Sequence, residues 1–544
     1  MMKRNIMIIV AMIFAMQLFA AADGTYKSIV SEYTLAPDGG ITQRVSKVLK
    51  YNTHHSFFSL FGETFVVYNS EYQSVKVDTS YTVQKDGTVI VTPQNAFNYV
   101  LPSMAAKAPD YNKLTELVIT HTGLELGATA FLDYTIATEA GVVGSLDIEE
   151  TIGVAGADIE KYQVIVNVPQ GVSLRWSLHG SNVKPVVKGG RYVWTFNNVK
   201  SAKGEANTPC GYGGVPRLSA TTAAALAENL MPLTVQTLDL CRAPRNYLAG
   251  ADNNKKRAEA VQKYIVQGLA SCKVPPYLTA NCVRQCKRVM ETAYGTEAEK
   301  ALAMTRLMRA EGLQAQTVVA FPAAVEVKSL RNVAEYLVLC DGVFYSVRKV
   351  GESPLRWQSS HYSVYDLAGN KIEMSPSDTE IEFSADVTLS PRKAVVNGEY
   401  TVTPSRTANN KEKFSEEVTP YENSGYTIYK LPLPVSGSMD RWGLNKLSKE
   451  RSAAFEIPYK VNETYEYKIK LDGVQSVTKN VKKSVKNSVG SLSVSIVNDG
   501  GSVVVKRSIS LNMNVIPASK YKEFLEIMRL WNNDNLRKIV VKKQ

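Results

Sequence analysis

The sequence predicts a multidomain α+β protein with a β-sandwich at the N-terminus, an α+β domain in the centre and a β-rich domain with one amphipathic helix at the C-terminus. Strand patterns dominate up to residue 208, helix-forming stretches gather between residues 219 and 312, and strand patterns return after residue 375. A chain of 544 residues is also too long for one ordinary core. We predict boundaries at 1–22 (signal peptide), 23–208, 209–375 and 376–544.

The first 22 residues have the composition of a secretory signal peptide. Lys3 and Arg4 precede an apolar run from Ile6 to Phe19, and alanines at 20–22 suit a cleavage site. The alternative is an uncleaved anchor, but the run is short for a membrane span. No later segment is apolar enough to cross a membrane. We therefore expect cleavage near Ala22 and a periplasmic or secreted protein.

The N-terminal domain is predicted from short strands joined by turns. The stretch YTVQKDGTVIVTP alternates apolar and polar residues around Asp86-Gly87, which is typical of a hairpin. The stretches TAFLDYTIAT, YQVIVNVP and RYVWTFNNV add further strands. Many short strands without a long helical pattern favour a β-sandwich.

The central domain combines helices with an antiparallel sheet. Helix formers occupy 219–230, 254–270, 279–293 and most of 294–312. Thr296 and Glu299 stand three residues apart before the last helix and predict a capping box. Gly312 predicts the end of that helix. Strands then flank the Asp341-Gly342 hairpin, from QTVVAF to HYSVYDLAG.

The C-terminal domain is predicted to be strand-rich, with turns at Asp472-Gly473 and Asp499-Gly500. One amphipathic helix follows near the end. Its apolar residues recur at helical spacing and must pack on a core: Tyr521, Phe524, Leu525, Met528 and Trp531.

The charge balance is basic. The formal net charge is +12, and loss of Lys3 and Arg4 with the signal peptide leaves 12 − 2 = +10. Export argues against nucleic acid as a partner, whereas an anionic glycan or a membrane surface would suit the charge. We favour a soluble surface with excess lysine as the explanation, and a solvated strand face or loop for the basic run at Lys479, Lys482, Lys483 and Lys486.

Six cysteines cluster between residues 210 and 340, and export permits disulfides among them: Cys210, Cys241, Cys272, Cys282, Cys286 and Cys340. The sequence cannot choose among the pairings. Cys282 and Cys286 lie four apart on a predicted helix, but a zinc site would need two more ligands and no histidine is near in sequence. We expect disulfides or apolar burial, and we predict no metal or cofactor.

The order of the domains resembles exported Gram-negative bacterial proteins in which a domain of unknown function precedes a transglutaminase-like domain and a small β-domain of unknown function closes the chain. The N-terminal resemblance lies in QNAFNYVLPSMAAKAPDYNKLTELVITHTGLELGATAFLDYTIATEAG. The C-terminal resemblance, over 453–544, lies in AFEIPYKVNETYEYKIKL, SLSVSIVNDGGSVVVKRSISL and IPASKYKEFLEIM.

In active relatives the central motif is similar to Gly-x-Cys-x-Asp-Lys-Ala at the start of a helix. Gly295, Lys300 and Ala301 match it, whereas Glu297 stands in the place of the nucleophile and Glu299 in the place of the aspartate. The chemistry needs a thiolate stabilised by the helix N-terminus, a histidine base and an orienting carboxylate.

The resemblance also implies positions for the other two triad residues. The histidine belongs near Ala334 and Glu335, and the acid belongs near Val347 or Arg348. None of the five histidines (His54, His55, His121, His179 and His361) lies between residues 180 and 360. The resemblance therefore implies a transglutaminase-like domain without its Cys-His-Asp triad.

We interpret the sequence as a non-catalytic exported binding or scaffolding protein, a pseudo-transglutaminase. Its partner would be an envelope protein or an anionic glycan. One alternative is a cysteine-dependent acyltransferase or peptidase that uses a relocated cysteine. A second alternative is an anionic glycan-binding protein, which rests on charge and export alone.

Overall fold

The computed structural model describes residues 22–202, 204–209, 215–234, 241–351, 353, 361–374, 379–403, 411–433, 435, 438–439, 443–444, 446–458 and 460–543. The predicted signal peptide, apart from Ala22, and Cys210 lie outside these ranges. Within them, no helix combines the length and the apolar character that a membrane span requires.

The described residues divide into two compact units. The first comprises those within 22–204, 215–353 and 363–372, and the second those within 205–209, 361–362 and 373–543. Both are rich in strands, as expected for a multidomain α+β chain.

The N-terminal part of the first unit consists of fourteen strands: β1 Gly24–Leu35, β2 Ile41–Tyr51, β3 Glu63–Asn69, β4 Gln73–Val83, β5 Val89–Val91, β6 Phe97–Val100, β7 Leu114–Thr120, β8 Thr129–Thr138, β9 Asp147–Thr151, β10 Ala157–Asn167, β11 Arg175–His179, β12 Val186–Lys188, β13 Arg191–Val199 and β14 Arg217–Thr221. They form an eight-stranded sheet, β12-β13-β10-β1-β2-β8-β4-β5, and two three-stranded sheets, β3-β7-β6 and β11-β14-β9.

The small sheets cover the inner face of the large one, which makes the predicted sandwich. Val45 and Leu132 of the large sheet share a core with Leu117 and Ile119 of β7. A second core joins the large sheet to β9 and β14. The hairpin predicted at Asp86-Gly87 joins β4 to β5.

The central part of the first unit contains five helices: α1 Leu226–Thr234, α2 Arg245–Leu248, α3 Asn254–Lys263, α4 Cys286–Thr292 and α5 Glu297–Ala310. Its strands are β15 Ala270–Ser271, β16 Tyr294–Gly295, β17 Ala315–Pro322, β18 Glu335–Cys340, β19 Val343–Ser346, β20 Tyr362–Asp366 and β21 Lys371–Ile372. Five of them form the sheet β19-β18-β17-β20-β21, and α5 packs on β17 and β18.

Two predicted helices differ from those observed. Residues 217–221 form β14 between β11 and β9, so α1 begins only at Leu226, because pairing in a sheet overrides local helix propensity. The helix predicted over 279–293 begins at Cys286, because Ala280 and Asn281 have φ of 50° and 60°, which a right-handed helix cannot contain.

A buried ionic network joins the two parts of the first unit. The Arg284 guanidinium donates to both carboxylate oxygens of Glu299, at 2.9 and 3.0 Å, and to Asp110 at 2.6 Å. The Tyr111 hydroxyl donates to Glu299 at 2.6 Å. The 3₁₀ turn Pro109–Tyr111 is thereby tied to the start of α5.

The second unit contains thirteen strands: β22 Thr379–Leu389, β23 Ala394–Thr403, β24 Lys411–Val418, β25 Tyr421–Asn423, β26 Tyr426–Lys430, β27 Phe455–Glu456, β28 Val461–Leu471, β29 Val474–Ser476, β30 Val481–Lys486, β31 Gly490–Asn498, β32 Ser502–Leu511, β33 Val515–Ile516 and β34 Lys538–Lys543. The main sheet has the order β24-β23-β22-β28-β32-β31-β30. Helix α6, Tyr521–Trp531, packs near β30 and β31, and its predicted apolar stripe is buried.

We predict that Arg284→Met lowers the free energy of unfolding by about 3 kcal/mol or more, because it strands the buried Glu299 carboxylate. Arg288→Met is the matched control. Arg288 also pairs with Asp110 but is 53% exposed, so its loss should cost less than about 1 kcal/mol. Denaturant unfolding measures the free energy of unfolding of both variants. Equal losses would show that the bond between Arg284 and Glu299 stabilises the fold no more than the exposed bond of Arg288 does.

Candidate functional site in the central part

Helix α5 begins with the capping box that the sequence predicts. The Thr296 hydroxyl accepts from the Glu299 N–H at 3.2 Å, and the Glu299 carboxylate accepts from the Thr296 N–H at 2.9 Å. Gly312 ends the segment at a φ of 78°. Glu297 therefore occupies the first turn of the helix, where N–H groups and the helix dipole favour a negative charge.

Strands β18 and β19 bring the other predicted triad positions beside this helix start. Leu337 pairs with Ser346 in the hairpin, so Ala334 and Glu335 lie near Val347 and Arg348 beyond that pair. Val347 is buried in the core, whereas Arg348 is half exposed.

A bidentate ion pair stands where the triad would meet. Arg348 donates through Nε and Nη2 to the two oxygens of Glu297, both at 2.7 Å, and Nη2 also donates to the Ala334 carbonyl at 2.9 Å. The predicted nucleophile, base and acid positions are thus in direct contact. Both Glu297 oxygens are engaged, so the carboxylate cannot act as a base or nucleophile without breaking the pair.

Glu335 lies beside this pair and is mostly buried. It accepts a hydrogen bond from the Ser346 hydroxyl, which in turn accepts from the Arg348 N–H at 3.1 Å. Burial raises the pKa of Glu335, and the hydrogen bond from Ser346 and the charge of Arg348 oppose that shift. The site therefore holds two carboxylates and one guanidinium.

Behind the pair, Lys300 and Tyr336 are buried. The Lys300 ammonium donates to the Leu269 carbonyl at 3.0 Å and to the Ser271 hydroxyl at 3.1 Å. Burial lowers the pKa of Lys300 and raises that of Tyr336. Lys300 thus connects α5 to β15 and the residue before it.

The described cysteines do not supply a replacement nucleophile at this site. Cys241, Cys272, Cys286 and Cys340 are buried, and Cys282 is exposed. Burial raises the pKa of the Cys272 thiol and raises that of Cys340 to about 11. Both shifts disfavour the reactive thiolate at neutral pH.

No disulfide joins any two of the five described cysteines, unlike the pairings that the sequence allows. Cys241, Cys286 and Cys340 instead fill the apolar core of the central part. Cys282 precedes α4 and so does not share a helix face with Cys286. Among the described residues, no group of three or more His, Cys, Asp or Glu side chains is placed to hold a metal.

His361 belongs to the second unit and is buried there. Its Nδ1 lies 2.5 Å from a Glu456 carboxylate oxygen, and its Nε2 lies 2.8 Å from the Asn514 amide nitrogen.

The sequence did not predict Arg284 as the partner of Glu299, because Arg284 lies inside the predicted helix 279–293 and no local pattern indicates an ion pair.

Two family models match the chain. A domain of unknown function with a solved structure, DUF3857, matches residues 37–203, and a second, DUF3858, matches residues 426–541. Neither match reaches the central site. A search of curated proteins finds no match. The chain is thus a strand-rich multidomain α+β protein that carries two domains of unknown function.

One solved structure is similar over almost the full length. It is a crystal structure from Parabacteroides distasonis described as a "putative protease", with 28% identity and a TM-score of 0.76 over 96% of this chain and 100% of that chain. Two M1 zinc metallopeptidase structures from Deinococcus radiodurans have TM-scores of 0.18 and 0.17, with 8% and 10% identity over 45% of this chain and 54% and 53% of those chains. Scores this low indicate nothing about fold or activity.

We predict that Thr296→Ala costs about 1 kcal/mol of stability through loss of the helix cap. Glu297→Ala should cost less than about 1 kcal/mol, because its pair with Arg348 is partly exposed and screened by solvent. Thermal or denaturant unfolding compares the two variants. A larger loss from Glu297→Ala than from Thr296→Ala would contradict this ranking.

Proposed function

We propose that this chain is a non-catalytic exported protein that binds or scaffolds a partner through a transglutaminase-like domain whose triad has been replaced. The observation that carries the proposal is the bidentate contact between Glu297 and Arg348. A Cys-His-Asp triad works because a thiolate, a base and an orienting acid meet at one point. Here two opposite charges meet at that point and neutralise each other.

The lack of a base supports the same conclusion. No histidine lies between residues 180 and 360 of the sequence, and the buried His361 contacts Glu456 and Asn514. The similar bacterial structure is described as a protease, and a cysteine-dependent peptidase or acyltransferase is the alternative for this chain. That alternative needs an exposed thiolate with a base beside it; among the described cysteines Cys282 alone is exposed, and its thiol donates to the Ala280 carbonyl at 3.7 Å.

The partner is proposed to be an envelope protein. Arg348 is 51% exposed and Glu297 is 35% exposed, so this charged pair is accessible to a partner's polar groups. The composition of the N-terminal sequence supports an exported location, which is part of the proposal.

We predict that neither the wild-type chain without its signal peptide nor Glu297→Cys catalyses amine incorporation or peptide cleavage. A cysteine at 297 would have the helix N-terminus but no histidine to accept its proton. Glu297→Ser is the matched control, since it removes the same carboxylate without adding a thiol. Colorimetric release of ammonia and fluorogenic peptide cleavage measure the two activities.

Turnover by the wild-type chain would overturn the proposal. Iodoacetamide labelling without reductant would then locate the nucleophile, because a low-pKa thiol reacts fastest. Turnover by Glu297→Cys alone would show that a base is present that the described residues do not include.

Anionic glycan binding is the second candidate, favoured by a run of exposed lysines on and before the edge strand β30: Lys479, Lys482, Lys483 and Lys486. Lys482, Lys483 and Lys486 lie on this edge strand, and Lys479 lies just before it. We therefore expect elution from a sulfated-glycan column at about 0.15 M salt, where exposed charges are screened beyond about 8 Å. Retention far above that salt, lost in Lys482→Glu/Lys486→Glu, would favour the glycan instead.

A further inference from the structure

A cavity of about 190 Å³ lies inside the N-terminal sandwich, away from the central site. Strands β2 and β8 of the eight-stranded sheet form one wall, through Leu49 and Leu132. The opposite wall includes Thr64 of β3 and His121, which follows β7. Phe61 closes one side.

Lys47 lines this cavity from a position where the strand pattern calls for an apolar residue. It lies on the inner face of β2 between Val45 and Leu49, which are both buried. Its partners across the sheet are Ile29 of β1 and Leu132 of β8, each 3% exposed. The side chain therefore lies on the face that packs against the smaller sheets, where it is partly exposed.

The Lys47 ammonium makes no hydrogen bond or ion pair with any described residue. Glu150 is close enough to interact with its charge, but both carboxylate oxygens of Glu150 already accept hydrogen bonds, from Tyr33 at 2.6 Å and Tyr162 at 2.7 Å. Burial lowers the pKa of Lys47. The ammonium thus has a carboxylate in its vicinity but no hydrogen-bond acceptor among the described residues, and a ligand that brought one would replace the water that the ammonium loses.

The other polar groups of the cavity do not supply that compensation. His121 contacts the Thr64 hydroxyl through Nε2 at 3.0 Å, and burial lowers its pKa to about 4, so it is neutral at neutral pH. Glu63 also lines the cavity but is exposed and accepts from Thr120 at 3.1 Å. An anion in the cavity would thus meet one cation, Lys47, and one exposed carboxylate, Glu63.

The remaining walls and their surroundings are apolar. Tyr26, Tyr51 and Phe61 line the cavity beside Leu49. Phe65 of β3 also lines the cavity and is 56% exposed, and in the segment Ser56–Leu60, which precedes Phe61, Phe58 is 79% exposed and Leu60 40%. An apolar pocket with few polar groups is the usual form of a small-molecule site.

We propose that this cavity binds a small apolar monocarboxylate, whose carboxylate pairs with Lys47 and whose apolar body lies against Phe61 and the exposed side chains outside. One lysine matches one negative charge. A phosphate monoester would carry more charge than this lysine can neutralise. The site is independent of the central ion pair, since all of its lining residues belong to the N-terminal sandwich.

The test is isothermal titration of the chain without its signal peptide with octanoate and with 3-phenylpropanoate. Octanoate tests binding of an alkyl chain and 3-phenylpropanoate tests binding of a phenyl group. Octanamide and 3-phenylpropanamide are the controls, because they carry the same apolar groups without the negative charge. We expect at least one acid to bind at least about tenfold more tightly than its amide, since a charged hydrogen bond in an apolar site contributes that much.

Lys47→Met should remove this preference for the acid, while Lys50→Met should keep it, because Lys50 lies on the same strand with an exposed side chain on the opposite face. Circular dichroism checks that both variants fold. If Lys47→Met fails to fold, the comparison of acid with amide on the wild-type chain still decides. Binding of neither acid, equal binding of acid and amide, or an unchanged preference in a folded Lys47→Met would overturn the proposal.

Discussion

The carboxylate of Glu299 holds together the part of the molecule on which the central site depends. It is fully buried, and it accepts from the Thr296 N–H, from the backbone and side chain of Arg284, and from the Tyr111 hydroxyl. A buried carboxylate is tolerated only when such donors replace its water. These donors come from the helix start, from the turn before α4 and from the N-terminal sandwich. The position of the first turn of α5 therefore depends on all three.

The stability of this helix start does not depend on which anionic residue stands in its first turn. A capped and buried helix N-terminus can stabilise a thiolate in an enzyme, but it stabilises any anion. In this chain the anion is Glu297, and Arg348 neutralises it from the neighbouring hairpin. The start of α5 is held in place because the side chains of Glu299 and Lys300 are hydrogen-bonded inside the core. The exposed pair of Glu297 and Arg348 can then change without loss of the fold.

The features that could be predicted from the sequence are those with local signals. The capping box spans four residues, the hairpins turn on adjacent Asp-Gly pairs, and α6 shows its stripe within eleven residues. The contact of Tyr111 with Glu299 spans 188 residues and leaves no such signal. The predicted helix start at residue 279 is wrong because Ala280 and Asn281 have positive φ, and for Ala280 the residue type gives no signal of that conformation.

Buried lysines in the first unit show how structural and ligand-binding charges can be told apart. Lys300 donates to a carbonyl and a hydroxyl, and Lys328 donates to the Pro322 carbonyl at 2.8 Å and to the Val325 carbonyl. Each of these ammonium groups replaces its lost water with protein oxygens and so closes a loop or fixes a helix. Lys47 is shielded by the same kind of apolar neighbours but has no such oxygens. The difference between the three lysines lies in what compensates the loss of water. Lys300 and Lys328 have acceptors inside the chain, whereas Lys47 has only the nearby charge of Glu150, and a bound carboxylate would supply the missing acceptor.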